Sequence, residues 1–328
     1  MKRSLLEWLQ PPEGSGAFEL IVEKEEGIEV MEGWLVAGEK RYPIKNGVPR
    51  LLPASIDQAN WETATRFGEE WTQFDMITDE YEKQFLSWIE PVKPEHFAGK
   101  SVLDLGCGKG RHILQSKKFG AKEVIGVDMS HAVDAAFANV GKMDGVHIVQ
   151  GDIFHLPLKR ESFDYGYSIG VLHHTPNPRQ AFQHLAEMIK PGGSVSAWVY
   201  GREGNGWIIY VLNPFRWITS KLPLPVTKAV AFAFAVIMQA ALMLLYRPAV
   251  RLPWLKRMLP YSSYLCSISG YSFRENFSIV FDHLLPEIAF YIREDEFRGW
   301  FADAKLPHPI ITRRYNNSWR GFAKKPLV

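Results

Sequence analysis

Three glycines and a nearby acid form the stretch of this chain best suited to bind a small ligand. Gly106, Gly108 and Gly110 stand at every second position in VLDLGCGKGRH, after an apolar run that contains Asp104. Glycines permit positive φ angles and close approach to the backbone, and the N-terminus of a following helix presents free N–H groups. The pattern predicts a ligand-binding turn between a strand and a helix, with Asp104 suited to an ammonium group rather than a pyrophosphate.

Two further carboxylates end the next two predicted strands. Asp128 ends VIGVD, where a carboxylate can accept hydrogen bonds from both hydroxyls of a ribose. Asp152 follows VQG, where it can accept from an adenine amino group, with the Ile153 N–H near a ring nitrogen. Taken together, these positions predict a ligand that contains a nucleoside.

These residues need a sheet to bring them together. Residues 98–200 alternate strand and helix patterns, and the strands are nearly continuous apolar runs, which favours a parallel sheet covered on both faces. Residues 56–97 are predicted to be helical, with Phe67, Trp71 and Phe74 as an aromatic stripe. That stripe is either core packing or a cover over the ligand.

The other parts of the chain have a different character. Residues 1–55 are predicted to form a small β-rich piece, and residues 201–292 a helical, apolar and basic insert after the fifth strand. Residues 293–328 are predicted to form a helix and two strands joined at Asn316–Asn317, which complete the sheet of residues 56–200.

The glycine turn, Asp128, Asp152 and KPGG, in this order, resemble the class I S-adenosylmethionine-dependent methyltransferases. The resemblance covers residues 98–200 and extends to residues 293–328. It implies an α/β, Rossmann-like, seven-stranded and mostly parallel sheet with an antiparallel last strand. It also implies S-adenosyl-L-methionine as the cofactor and S-adenosyl-L-homocysteine as the product.

The resemblance further implies a place for each part of the cofactor. The methionine part would lie against Asp104 and the Gly106–Gly110 loop, and the ribose against Asp128. Cys107, within that loop, is a packing residue rather than a nucleophile in this interpretation. Met129 would contact one face of the adenine, and Asp152 with Ile153 its edge. The strand end Ser168, Ile169 and Gly170 would lie beside the sulfonium, and Trp71 would cover the cofactor.

Two histidines follow the fourth predicted strand, on the side from which acceptors approach in this family. His173 or His174 could remove a proton from the acceptor, because an unperturbed imidazole titrates near neutral pH. His173 is slightly favoured for this role. The alternative is structural, with one ring capping the next helix or packing near the cofactor.

The insert separates charge from the rest of the chain. From Gly204 to Arg274 there are eight lysine or arginine residues and no acid, and Ala229–Tyr246 carries no charge. That run is at the lower limit for a membrane span, but one crossing would separate the last two strands from their sheet. The insert is therefore predicted to be a lid over the acceptor, a membrane-surface element, or both.

These features predict methyl transfer to an apolar or amphipathic small molecule, at an oxygen, carbon or nitrogen atom. The alternatives are an RNA (tRNA) methyltransferase and a cofactor-binding module without catalysis. The net charge of +2 and the aliphatic runs between the bases of the insert argue against nucleic acid as a partner. We expect a cytoplasmic protein, with peripheral membrane contact through the insert.

Metal and disulfide chemistry are excluded as organising features. The two cysteines, Cys107 and Cys266, are too few for a disulfide framework or a four-cysteine site. The stretch KRYPIKNGVPRLLP resembles a zinc ribbon that partners tRNA methyltransferases, but no cysteine or histidine precedes His96, so no metal is expected there. Residues 1–55 are predicted to be a structural cap or an oligomer contact, and the insert could also mediate oligomerisation.

Overall fold

The structure is a computed structural model, which describes the backbone of residues 1–73 and 80–327 and the side chains of residues 1–69 and 81–327. Within these residues, eleven strands form one sheet in the order β1-β2-β3-β4-β7-β6-β5-β8-β9-β11-β10. The strands are β1 (Glu19–Glu26), β2 (Glu29–Ala37), β3 (Lys40–Lys45), β4 (Val48–Leu51), β5 (Ser101–Leu105), β6 (Glu123–Asp128), β7 (Val146–Gly151), β8 (Phe163–Ile169), β9 (Ile189–Tyr200), β10 (Ile310–Arg314) and β11 (Ser318–Lys324).

Helices lie on both faces of the parallel part and form the insert between β9 and β10. They are α1 (Gln58–Gln73), α2 (Glu80–Ile89), α3 (Arg111–Lys118), α4 (Ala132–Ala136), α5 (Pro178–Glu187), α6 (Asn213–Thr219), α7 (Leu224–Ala241), α8 (Arg247–Ala249), α9 (Pro253–Met258), α10 (Ser262–Ile268), α11 (Phe273–Leu284) and α12 (Glu294–Asp303). Local sequence sets several starts: the side chain of Ser272 accepts a hydrogen bond from the Glu275 N–H at the start of α11.

Strands β5 to β9 run parallel, and β11 lies antiparallel to β9. The central strands β5 and β7 are buried along their whole length, because helices cover both faces. The predicted α/β, Rossmann-like fold is therefore confirmed, with the antiparallel strand near one end of the sheet. The turn between β10 and β11 has positive φ at Tyr315 and Asn316, one residue earlier than predicted.

The sheet is wider than the seven strands predicted, because the N-terminal strands continue it. Strand β4 pairs in parallel with β7, with Arg50 opposite Gln150 and Leu51 opposite Gly151. Strands β1 to β4 follow one another as an antiparallel meander. Residues 1–55 thus form β structure, as predicted, and share backbone hydrogen bonds with the sheet that carries the glycine turn.

The insert is helical, as predicted, and both of its ends are fixed to the sheet. The Ile292 N–H donates to the Tyr200 carbonyl at 2.9 Å, and the Arg202 N–H donates to the Ile292 carbonyl at 2.8 Å. Helix α7 continues through a π-helical turn into α8, which gives one apolar helix from Leu224 to Ala249. By length and composition alone, this helix could cross a membrane.

Candidate active site at the carboxyl edge of the sheet

One cavity extends from the glycine turn to the inner side of the insert. We define the cofactor half as the part lined by residues of the sheet edge, where the predicted cofactor contacts lie, and the acceptor half as the part lined by residues of β9, α10, α11 and the loops beside them. Lining residues of the cofactor half include Gly106, Cys107, Gly108, Asp128, Met129, Asp152, Ile153, Ile169 and Gly170. Lining residues of the acceptor half include Trp198, Tyr200, Ile208, Tyr264, Ile268, Ile279, Asp282, His283 and Tyr291.

The glycine turn is built for close packing. Gly106, Gly108 and Gly110 all have positive φ, and a Cβ at Gly106 would lie 2.3 Å from a methyl carbon of Val171. A side chain at position 106 would therefore clash and strain the backbone. Helix α3 begins directly after Gly110, so the turn joins the end of β5 to the N-terminus of a helix.

Asp128 stabilises this turn and also faces the cavity. Its Oδ2 accepts from the Gly108 N–H at 2.9 Å, and its Oδ1 accepts from the N–H and the hydroxyl of Ser130 at 2.9 and 2.7 Å. Burial raises the pKa of this carboxyl, and the same three hydrogen bonds oppose that rise. Asp128 is half-buried, so a part of its carboxylate can still accept hydroxyl groups from the cavity.

Asp152, Ile153 and Met129 form the next part of the wall, as the sequence predicts. The Asp152 carboxylate accepts from the Phe154 N–H at 3.0 Å and lies 3.0 Å from the His155 ring nitrogen. These contacts fix its orientation at the end of β7. The Met129 side chain lies against the Asn60 amide, with 3.8 Å between sulfur and nitrogen. The arrangement supplies an apolar face beside a carboxylate, which suits a purine base.

Three of the predicted contacts do not line the cavity: Gly110, directly before α3, and Asp104 and Ser168, which lie behind the wall. Asp104 is fully buried and is not a lining residue, and its carboxylate accepts no hydrogen bond of normal geometry from the described residues. Burial raises the pKa of Asp104 to about 8. Ser168 is also fully buried, and its hydroxyl donates to the Leu105 carbonyl at 2.8 Å, which ties β8 to β5. The neighbouring Ile169 and Gly170 do line the cavity.

Cys107 lines the cavity but is poorly suited to act as a nucleophile. Its side chain is buried, and burial raises the pKa of the thiol well above its usual value. A thiol that stays protonated at neutral pH is a weak nucleophile. This agrees with the interpretation of Cys107 as a packing residue.

The two adjacent histidines differ in position. His173 is fully buried and does not line the cavity. The centroid of its ring lies 4.0 Å from the ring centroid of Tyr200 and 4.3 Å from that of His174. His174 lines the cavity. The structure therefore reverses the order of preference: if either ring takes a proton from an acceptor, His174 is the one placed to do so.

The tautomer of His174 is fixed by its hydrogen bond. Its Nδ1 lies 2.7 Å from the Ile288 carbonyl, which can only accept, so Nδ1 carries the proton. Nε2 then keeps the lone pair. Burial lowers the pKa of His174 to about 3, so the ring is neutral at physiological pH.

Helices α1 and α2 cover the cofactor half of the cavity. Asn60, Thr63 and Phe67 of α1 line it, which agrees with the interpretation of this helix as a cover. The side chain of Trp71 and the whole of Phe74, predicted to extend the same stripe, lie outside the described residues. The covering role predicted for Trp71 therefore stays a prediction.

A tyrosine joins the cover, the glycine turn and the insert. The Tyr81 hydroxyl of α2 lies 3.1 Å from both carboxylate oxygens of Glu275 on α11, and it accepts from the Lys109 ammonium at 3.2 Å. The guanidinium of Arg111 lies 5.3 Å from the centroid of the Tyr81 ring. Opening the insert would therefore disturb contacts with the glycine turn.

The sequence analysis missed the residues of the acceptor half. Trp198 and Tyr200 lie at the end of β9, where the carboxyl-edge argument could have found them. His283 of α11 has no sequence signal, because the insert folds back over more than 80 residues to place it 5.7 Å from the Tyr200 ring centroid. Burial lowers the pKa of His283 to about 4, and its Nδ1 has no hydrogen-bond partner among the described residues.

The cavity wall fits S-adenosylmethionine. Gly106 and Gly108 leave backbone open beside it, Asp128 faces it with a partly accessible carboxylate, and Met129 with Asp152 and Ile153 follows in the same wall. Residues 103–197 match the family described as "Methyltransferase domain". These residues form a class I S-adenosylmethionine-dependent methyltransferase domain. S-adenosylmethionine is the cofactor of this domain.

Curated relatives match part of this chain. A tRNA U34 carboxymethyltransferase from Pseudoalteromonas translucida is 32% identical over 170 residues, which cover 50% of this chain and 48% of the relative. One from Vibrio campbellii is 34% identical over 114 residues, which cover 34% and 33%. The chain thus spans between a third and a half of the length of these relatives. The prediction that nucleic acid is an unlikely partner is wrong, because the relatives that this domain matches are named tRNA U34 carboxymethyltransferases.

Solved structures with a similar sequence also carry the methyltransferase name. A crystal structure of an S-adenosylmethionine-dependent methyltransferase from Mesorhizobium loti is 28% identical, covers 32% of this chain and 49% of that one, and has a TM-score of 0.31. A putative S-adenosylmethionine-dependent methyltransferase from Listeria monocytogenes is 26% identical, covers 38% and 56%, and has a TM-score of 0.33.

Proposed function

We propose that this methyltransferase transfers a methyl group from S-adenosylmethionine to an apolar or amphipathic small molecule held beneath the insert. One observation carries the proposal: the cavity that begins at the glycine turn continues without a break to the inner side of the insert. The wall there consists largely of aromatic and aliphatic side chains, with Tyr264, Ile268 and Ile279 from α10 and α11. An acceptor in that half would lie next to the cofactor and away from bulk water.

The chemistry asks little of the protein beyond alignment and desolvation. When bound, the cofactor supplies a methyl group on a positively charged sulfur; the acceptor's nucleophilic atom bonds to that carbon as the carbon–sulfur bond breaks and its electron pair stays on sulfur. Trp198 and Tyr200 form a wall beside the transfer point. The lone pair of His174 Nε2 can accept a hydrogen bond from an acceptor hydroxyl and so orient it, while burial keeps the ring neutral.

A polar group of the acceptor has two candidate partners in the wall of the acceptor half. Trp198 Nε1 and His283 Nδ1 are buried and have no hydrogen-bond partner among the described residues. Buried polar atoms without partners are costly, so a ligand that pairs with them gains affinity. An amphipathic acceptor, with a hydroxyl or carbonyl group at one end of an apolar body, can pack that body against the wall and form hydrogen bonds with these two atoms.

A second candidate acceptor is a tRNA base. The names of the curated relatives favour it, and their matches extend over up to half of this chain. The group transferred from S-adenosylmethionine would then be a methyl group, whereas a carboxymethyl group, as in the relatives' name, would need a carboxylated sulfonium donor. The mass of the modified nucleoside would distinguish the two.

The test is transfer of labelled methyl from S-adenosylmethionine to a lipid extract, to a phenolic extract and to bulk tRNA. Label in an organic-soluble product supports the small-molecule acceptor, and label found only in tRNA overturns it. Ile279→Arg places a charge in the wall of the acceptor half and should abolish transfer while S-adenosylhomocysteine still binds. Ile28→Arg, at a position 72% exposed on the N-terminal hairpin, is the matched control and should leave transfer unchanged.

A further inference from the structure

The outer side of the insert exposes an apolar surface on one long helix and the segment after it. Ile237 of α7 is 67% exposed, Leu244 of the π-helical turn 74%, and Met258 of α9 75%. Contiguous exposed apolar patches mark interaction sites in soluble proteins. We define the apolar outer surface as the exposed large side chains of this stretch: Val226, Phe232, Phe234, Val236, Ile237, Met243, Leu244, Leu245, Val250, Leu252, Trp254 and Met258.

Only a narrow stripe of the helix packs inward. Thr227, Ala231 and Ala235, four residues apart, are fully buried, and the two alanines pack in one cluster with Phe277 and Phe281 of α11. Small residues on the inner stripe let the two helices approach closely, while large apolar side chains such as Ile237 and Leu244 are mostly exposed. Phe232 and Phe234 are partly covered, by Phe277 and Phe215 respectively. The distribution is the reverse of that in an ordinary surface helix, whose outer face is polar.

The helix lies along the body of the protein, because its partner α11 is fixed at both ends. Glu275, at the start of α11, contacts Tyr81 of the cover, and Ile292, shortly after its end, pairs with Tyr200 at the end of β9. A helix packed along α11 therefore follows the surface of the domain. This geometry favours contact with the face of a bilayer over a crossing of it.

Basic side chains border the apolar outer surface. Arg247, Arg251, Lys256 and Arg257 follow within eleven residues of the chain, all four are exposed, and none of them forms an ion pair with a described residue. Just after α6, the Lys221 ammonium lies 4.0 Å from the ring centroid of Trp217, an exposed residue of that helix. Unpaired cations beside exposed aromatic and aliphatic groups match the headgroups and acyl region of an anionic bilayer.

We propose that the apolar outer surface, with its border of basic side chains, docks this methyltransferase on an anionic phospholipid membrane. The inner side of the same insert forms the wall of the acceptor half of the cavity, through Ile208, Ile268 and Ile279. This proposal rests on the proposed function in one respect: it assigns the membrane as the source of the acceptor, which enters between the insert and the sheet edge. Docking itself does not depend on which acceptor is methylated.

The first test is co-sedimentation of the full chain with vesicles of phosphatidylcholine, with and without phosphatidylglycerol, at low and high salt. We expect binding to the anionic vesicles at low salt that weakens at high salt, because each surface-bound base adds to the attraction and salt screens it. Replacing Arg247, Arg251, Lys256 and Arg257 by glutamine should lower the partition coefficient by about tenfold or more.

The matched control removes four positive charges from residues 56–200, which precede the insert. Lys93, Lys118, Lys122 and Lys142 are exposed and lie outside the insert, and their replacement by glutamine should leave vesicle binding unchanged. An equal loss in both variants would mean that net charge alone drives binding, which overturns the assigned surface. In both variants, S-adenosylhomocysteine binding reports that the domain is folded.

A second measurement locates the contact. An environment-sensitive fluorophore on Leu244→Cys, in a Cys266→Ser background, should shift to the blue with anionic vesicles, and one on Lys142→Cys should not. Absence of vesicle binding under all conditions overturns the proposal. A stable dimer by light scattering, with the 244 label shielded and no vesicle binding, would assign the surface to a second copy of this chain instead. Methyl transfer to an acceptor in detergent would persist in either case, so failure of docking and failure of the proposed function are distinguishable.

Discussion

Asp128 offers a direct test of the cofactor site. Its carboxylate accepts hydrogen bonds from Gly108 and Ser130, and it faces the cavity. Two hydrogen bonds from ribose hydroxyls to a charged acceptor contribute about 1.5 kcal/mol each at the lower end of the usual range. Asp128→Ala should therefore weaken S-adenosylhomocysteine binding by about 3 kcal/mol, which is about 150-fold in Kd.

The assay is isothermal titration calorimetry, with unfolding by urea measured in parallel. Asp128→Ala also removes the acceptor for the Gly108 N–H, so some loss of affinity could come from a loosened turn. Ser130→Ala separates the two effects: it removes the hydroxyl that donates to Asp128 at 2.7 Å but keeps the carboxylate, and it should change Kd by less than about fivefold. Asp144→Ala, at an exposed acid of the same domain, is the control. An unchanged Kd in Asp128→Ala would remove this residue from the site and refute the reasoning from the end of β6.

Three further predictions concern protonation and the cover. Burial raises the pKa of Asp104 from 3.8 to about 8, so the folded protein binds more protons than the unfolded chain in this range. The free energy of unfolding should therefore fall as pH rises from 4 to 8. Urea unfolding of Asp104→Asn should lack that slope, and an identical slope would contradict the raised pKa of Asp104. His174→Ala removes a hydrogen-bond acceptor that can orient an acceptor hydroxyl and should lower kcat by about tenfold, whereas His173→Phe, at a buried position outside the cavity, should change kcat by less than about threefold. A loss of about 100-fold or more in His174→Ala would instead show that Nε2 takes the acceptor's proton. Steady-state kinetics with S-adenosylhomocysteine binding as a control decides between them, and equal losses would make both rings structural. Glu275→Gln weakens the contact with Tyr81, so limited proteolysis of the insert should become faster in the ligand-free protein; an unchanged rate would show that this contact does not hold the insert closed.

Much of the fold and the cofactor half of the site could be predicted from local pattern. Consecutive parallel strands joined by helices have a fixed hand and place their carboxyl ends at one edge. For that reason the glycine turn, Asp128 and Asp152 could be assigned to one site from their order along the chain. The structure lines the cavity with these residues and with Met129 and Ile153.

The positions of Asp104 and His173 could not be predicted in the same way. Both are adjacent in sequence to cavity residues, yet both side chains are completely buried and lie behind the wall. A sequence pattern places a residue at a strand end to within one or two positions. Which side of the wall a side chain occupies depends on the packing of neighbouring elements, here Tyr200 against His173.

The sequence by itself determined the parallel sheet, the nucleoside site at its edge and the basic, apolar character of the insert, because strand periodicity, turn glycines and charge are local properties. Tertiary structure alone decided that β4 extends the sheet beside β7, that His283 joins the acceptor half of the cavity, and that the large apolar side chains of α7 face outward. These outcomes depend on contacts between residues far apart in the chain. An apolar pattern identifies residues that favour burial, but only long-range packing determines which of them are buried within the protein and which stay exposed at its surface.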